Sequence, residues 1–263
     1  MSQLRTILKR TAAVVAAGGG AFGGVGLLAY VQARQCASDG GPFPAHRLDG
    51  DVGPPEADAH RVVWLGDSLA AGLGAISPEV TLPRLVAAGG THRTRLHVYA
   101  TAGATSVDVV ERQLPALRQL HHGLGQIGQR IDAVGVTVGA NDISAFTSRR
   151  RFRRNVAAIV EAADGAPVVL VSIPGLADAI RLPHPLRALA EVRARWLDAV
   201  LREAARRSGV HYASVRRRPS WITRRAREHF LSADRFHPSG AGYAIWADRI
   251  GHAFQLALRP ATG

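Results

Sequence analysis

The chain has a single cysteine, Cys36, among 263 residues, so an intrachain disulfide is excluded and the sequence is compatible with any redox compartment. Lysine is nearly absent too: Lys9 is the only one, and the formal charge of +13 is carried almost wholly by arginine. Aromatic residues make up only 6% of the chain. With so few stacking platforms and no recognisable binding module, the charge does not read as a nucleic-acid footprint, and no nucleic-acid partner is expected. It reads as an arginine-biased surface with electrostatic reach toward anionic envelopes or lipids. No internal repeat of useful length is present. A monomer is expected, though no residue pattern decides the oligomeric state.

Charge is also missing from one long run. Residues 11–31 contain no charged side chain, and about 20 such residues cross a bilayer as a helix. Arg5, Lys9 and Arg10 precede the run, which orients the N-terminus toward the cytoplasm and sends the remainder outward. Two readings follow. One is a single-pass anchor within 1–34, with the rest of the chain on the extracytoplasmic side of the cell membrane. The other is a cleavable signal ending near Val31-Gln32-Ala33, which would release a secreted protein. The residues before Cys36, Ala33-Arg34-Gln35, fit poorly with the small residues that lipid attachment prefers. Residues 35–60 are rich in Gly, Pro and Asp and read as a flexible linker, which leaves 61–259 as the folded domain.

Within that domain, short apolar runs alternate with longer helix-forming stretches. Strands are expected at 61–66, 95–100, 131–138, 167–173 and 210–213, with helices at about 105–120, 150–164, 185–208 and 239–258. Runs 131–138 and 167–173 are almost continuously apolar and β-branched, as strands covered on both faces are. The alternation predicts an α/β three-layer sandwich, flavodoxin-like, around a five-stranded parallel sheet. Parallel strands end on one side, so the loops after the first three strands share a rim.

Four blocks fall on that rim: Gly66-Asp67-Ser68-Leu69, Ala102-Gly103-Ala104-Thr105-Ser106, Gly139-Ala140-Asn141-Asp142 and Asp234-Arg235-Phe236-His237-Pro238. Together they hold what acyl transfer needs. A serine hydroxyl such as Ser68 requires an adjacent base, which His237 can supply. The base requires a partner that fixes its tautomer, and Asp234 stands three residues before it. The oxyanion requires donors, available from the Ser68 and Gly103 N–H groups and the Asn141 amide.

The four blocks, in this order on an α/β rhythm, resemble the SGNH (GDSL) hydrolase family, whose Ser, Gly, Asn and His match Ser68, Gly103, Asn141 and His237. The match spans roughly residues 61 to 258. The resemblance implies an SGNH hydrolase fold, a GDSL-type serine esterase or lipase acting on small-molecule or lipid carboxylic esters, a Ser68-His237-Asp234 triad, and no metal or other cofactor. Asp67 and Asp142 look like family positions that brace the loops. Many members have Asn where this chain has Thr101, which removes a supporting hydrogen bond rather than the glycine. The chain lacks the Gly-x-Ser-x-Gly elbow of α/β-hydrolases.

Leu73, Phe146, Ile173 and Leu176 are expected to line an acyl slot, with Ile76 and Pro174 beside them. Two arginine clusters, Arg149–Arg154 and Arg216–Arg227, read as solvated faces or as a rim for anionic groups. Other functions remain open at this level: an acyltransferase acting on an envelope glycan or lipid, or a non-catalytic binding protein on the same fold.

Overall fold

The computed structural model describes residues 46–55, 59–176, 182–207, 209–216 and 226–259. The apolar run at 11–31, Cys36 and Arg217, Arg218, Arg224 and Arg225 lie outside them. Among the described residues no helix is long and apolar enough to cross a membrane.

Among the described residues six strands form one sheet: β1 (Gly50–Val52), β2 (His60–Gly66), β3 (Thr94–Val98), β4 (Ala133–Thr137), β5 (Val168–Val171) and β6 (Val210–Ala213), in the order β1-β3-β2-β4-β5-β6. β2 to β6 are all parallel, and their order is the flavodoxin-like one expected from the alternation.

The helices are α1 (Leu82–Ala88), α2 (Ser106–Asp108), α3 (Leu114–Gln126), α4 (Ala140–Ser144), α5 (Arg149–Glu161), α6 (Leu186–Ala204) and α7 (Gly240–Ala257). A π-turn, Val109–Gln113, joins α2 to α3. Strand residues alternate between the two faces. Val62 and Trp64 of β2 face a layer that includes Leu82 and Val86 of α1 and Tyr243, Ala247 and Ile250 of α7. Val63 and Leu65 face the layer built from α3, α5 and α6, around Leu117, Phe152, Ile159 and Leu201.

Three elements depart from the sequence reading. β1 lies inside the stretch expected to be a linker and pairs antiparallel with β3, adding a sixth strand to the five parallel ones. Gly50 and Asp51 have little strand propensity, and side chains from elsewhere hold the segment. Asp51 pairs with Arg93 and Arg95, and Asp49 accepts the Val98 N–H at 2.9 Å. The two guanidiniums hold the Asp51 carboxyl well below the usual range. The short helices α1 and α4 are the other additions. Each is too brief to show a helical period.

Close packing between layers depends on one glycine. Trp64 and Phe254 stack at 5.3 Å, and a Cβ at Gly135 of β4 would lie 2.8 Å from the indole and 2.9 Å from the phenyl ring. Gly135→Ala is therefore expected to lower unfolding free energy by about 1–3 kcal/mol through overpacking. Urea denaturation monitored by circular dichroism measures it, and an unchanged midpoint would contradict this account of the layer spacing.

Candidate active site

The rim starts where β2 ends. Gly66 has φ 139°, and a Cβ there would lie 1.9 Å from the Thr137 carbonyl oxygen, so only glycine fits. Its N–H donates to Gln113 Oε1 at 2.8 Å, and its carbonyl accepts from Gln113 Nε2 at 2.8 Å and from the Thr101 N–H at 3.0 Å. Gln113 is buried at the end of the π-turn. Its side-chain amide pairs with this backbone as a neighbouring strand would.

Asp67 follows, 1% exposed. Its N–H donates to the Thr137 carbonyl, and its Oδ1 accepts from the Leu69 N–H at 3.1 Å and from Thr137 Oγ1 at 3.3 Å. Burial pushes its carboxyl up to about 7, against the opposing pull of those two hydrogen bonds and of His237.

Ser68 is the next residue, and its Oγ lies 3.0 Å from His237 Nε2. The other ring nitrogen, Nδ1, is 2.6 Å from Asp234 Oδ2. Asp234 Oδ1 accepts from Ser232 Oγ at 2.7 Å and from the N–H groups of Phe236 and His237, both at 2.9 Å. Burial alone would raise the Asp234 carboxyl, but the His237 ring and these three donors hold it far below the usual range. It is an anion facing an imidazole. The local fold brings the two side chains together across three residues. Arg235 takes a left-handed turn with φ 57°, Leu231 bridges Pro238, and the Ser232 N–H donates to the His237 carbonyl at 2.8 Å. His229 lies in the turn before this loop and gives its carbonyl to Ser239 Oγ.

Gly103 and Asn141 come to the same rim. Thr101 joins the Gly103 loop to Gly66 through its backbone, and Asn141 Nδ2 donates to the Ala104 carbonyl at 3.0 Å. Among the described residues, the N–H groups of Ser68 and Gly103 donate to no protein acceptor. Asp142 is fully buried. It accepts from the Ser106 N–H at 2.8 Å and from Ser106 Oγ at 2.7 Å, and that hydroxyl accepts from Asn155 Nδ2. Burial raises the Asp142 carboxyl, with the Ser106 hydrogen bonds opposing. Both Asp67 and Asp142 thus hold loops together through backbone and hydroxyl donors.

The expected acyl slot is only partly accessible. Leu73 is half-buried, with its carbonyl accepting from the Tyr243 hydroxyl at 2.6 Å. Phe146 is 42% exposed and has its ring 5.0 Å from the Arg193 guanidinium carbon. Ile173 and Leu176 are 1% and 9% exposed in the core cluster, and so wall no open slot. Arg216 donates to the Ile173 carbonyl at 2.7 Å, while Glu191 accepts the Leu176 N–H at 2.8 Å and pairs with Arg216. Arg216 therefore anchors a loop rather than forming a rim for anionic groups. Among the described residues no group of three or more His, Cys, Asp or Glu is placed to hold a metal.

Gln113, Thr137 and Tyr243 were missed by sequence reasoning. Gln113 acts on the Gly66 backbone and Thr137 on the Asp67 carboxylate, both across the fold, and no motif marks them. Tyr243 stands six residues after His237, at the start of α7, but its tie to Leu73 spans 170 positions.

The chain is similar to known proteins in both sequence and shape. Residues 64–245 match the GDSL-like Lipase/Acylhydrolase family. It is 33% identical over 207 residues to the GDSL-like esterase Rv1075c of Mycobacterium tuberculosis, covering 76% of this chain and 63% of that protein. The chain thus spans somewhat less than two thirds of that relative's length. A lipase/acylhydrolase from Enterococcus faecalis superposes with a TM-score of 0.55 at 21% identity, over 78% of this chain and 100% of the other. A candidate SGNH hydrolase from Slackia heliotrinireducens gives 0.53 at 24% identity, over 75% and 100%. Likeness at those identities carries the fold, and the fold is that of the SGNH hydrolases. With a sequence match from the Trp64 strand to the first turns of α7, the chain belongs to the GDSL-like lipase/acylhydrolase family.

Proposed function

We propose that this hydrolase cleaves carboxylic esters by a two-step acyl transfer on Ser68. The reading rests on one observation: the Ser68 hydroxyl, the His237 ring and the Asp234 carboxylate form a hydrogen-bonded line with 3.0 and 2.6 Å links. Ser68 Oγ attacks the ester carbonyl as its proton passes to His237 Nε2. The Asp234 carboxylate stabilises the imidazolium and keeps Nδ1 protonated. The tetrahedral oxyanion takes hydrogen bonds from the Ser68 and Gly103 N–H groups and from Asn141. His237 protonates the departing alcohol, leaving an acyl-enzyme. It then takes a proton from water, which attacks the acyl carbon, and gives that proton to Ser68 Oγ as the carboxylic acid leaves.

Substrates on this reading are small-molecule or lipid esters, with Leu73 and Phe146 beside the entering acyl group. The apolar run at 11–31, flanked by Arg5, Lys9 and Arg10, supports a place on the extracytoplasmic side of the membrane, held by that segment or released after its cleavage.

Ser68→Ala is expected to abolish p-nitrophenyl acetate hydrolysis and labelling by a fluorophosphonate probe while leaving the melting temperature in place. Activity surviving in that variant would refute the serine assignment. Asp234→Asn should lower kcat on the order of ten-thousandfold, because the imidazole loses its tautomer and its counter-charge. Stopped-flow or steady-state kinetics reads it, and a loss below tenfold would contradict the role.

Asp67 generates a prediction about stability. Its carboxyl rises from 3.8 to about 7 on folding, so the folded state binds the extra proton. Its contribution to stability is fully present below pH 3.8 and is lost as pH rises through about 7. Asp67→Asn should remove that loss. Urea unfolding of both proteins between these limits should show the variant gaining on the parent as pH increases. A difference constant with pH would show that Asp67 folds as an anion.

A further inference from the structure

Helix α6 carries an apolar stripe that, among the described residues, nothing covers. Leu189, Val192 and Trp196 are 47%, 47% and 60% exposed. Their i, i+3, i+7 spacing puts them on one side of the helix. Phe146 borders the stripe, with Arg193 of α6 against its ring. Single exposed apolar residues are ordinary on a soluble surface, whereas a run of this kind marks a contact surface.

Arginines frame it. Arg195 and Arg202 follow one flank of the stripe, 70% and 57% exposed, each also paired within the helix, with Glu191 and Asp198. Helix α5 packs beside α6 and exposes Arg149, Arg150, Arg151, Arg153 and Arg154. Arg153 Nη2 donates to Glu203 at 3.0 Å, which brings the basic face of α5 to the C-terminal end of the stripe. The two helices together hold nine arginines against four carboxylates. Positive charge at the start of α5 opposes its helix dipole, so helix stability does not account for it.

A partner must therefore accept apolar side chains and be negatively charged. A second copy of this face would bring like charges together. We infer that the α5–α6 face docks the domain on an anionic lipid surface. Leu189, Val192 and Trp196 enter the headgroup layer, where indole rings are favoured, and the arginines meet lipid phosphates. The mode of contact is independent of the chemistry at Ser68. It does have a consequence there. Arg193 donates to the Ile143 and Thr147 carbonyls at 3.2 and 3.3 Å, in the segment that leaves Asn141. Docking through α6 thus sets the attitude of the rim to the bilayer.

The test uses the full chain with Cys36→Ser and Val192→Cys carrying an NBD fluorophore, reconstituted in vesicles. A second protein carries the same label through Ile127→Cys, at an exposed position past the end of α3. In phosphatidylcholine vesicles with about one third phosphatidylglycerol, emission at position 192 should shift to the blue and rise about threefold. It should stay unshifted in phosphatidylcholine alone, in Arg149→Glu/Arg150→Glu/Arg195→Glu protein, and at position 127. The inference fails if position 192 is unmoved in anionic vesicles, if both lipids act alike, or if position 127 responds equally. A concentration-dependent shift without lipid would assign the face to a second copy and overturn it.

Discussion

Everything at the rim hangs on how the chain leaves β2. Gly66 is pressed against the Thr137 carbonyl too closely for any side chain, and both of its own backbone groups are taken by Gln113. The Thr101 N–H shares the Gly66 carbonyl, so the loop after β3 is fastened to the same residue. Asp67 then points into the protein and Ser68 toward His237. A shift of the Gly66 backbone would move the hydroxyl, the acid beneath it and the Gly103 loop together. That coupling explains why a buried glutamine and a π-turn, both costly in isolation, occur here.

Two carboxylates near Ser68 show how environment separates like groups. Asp234 is wrapped by a hydroxyl, two backbone N–H groups and an imidazole, and these donors outweigh its burial. Asp67 is more deeply buried with fewer donors, and burial wins. The first is an anion able to balance a positive imidazole. The second is a brace whose charge the fold disfavours. The same chemical group serves two purposes because hydrogen-bond supply differs.

The site is not isolated from the surface. α6 packs on α4, and Arg193 ties it to the carbonyls that follow Asn141. Glu191 and Arg216 fasten the start of the β5 loop to the same helix. The helix that supports the rim from beneath thus also presents the uncovered Leu189, Val192 and Trp196 to solvent. Geometry at the rim and contact at the surface are two faces of one rigid element.

The sequence by itself determined the class of fold and the four blocks. Strand runs with β-branched residues buried on both faces can only pair inside a covered sheet, and Asp and His three apart can meet within one turn. β1 was illegible because three residues carry no period, Gly50 and Asp51 disfavour strands, and the segment is held by the pairing of Asp51 with Arg93 and Arg95. Ile173, at the end of an expected strand, and Leu176, in the loop after it, looked like slot residues because an apolar side chain facing a site is indistinguishable, in one dimension, from one turned inward. Gln113 and Thr137 carried no signal, since their side chains meet the Gly66 backbone and the Asp67 carboxylate, 47 and 70 positions away. Local propensity and short spacing are written in the chain. Which polar group meets which backbone, and which apolar face stays uncovered, is decided only when distant segments share space.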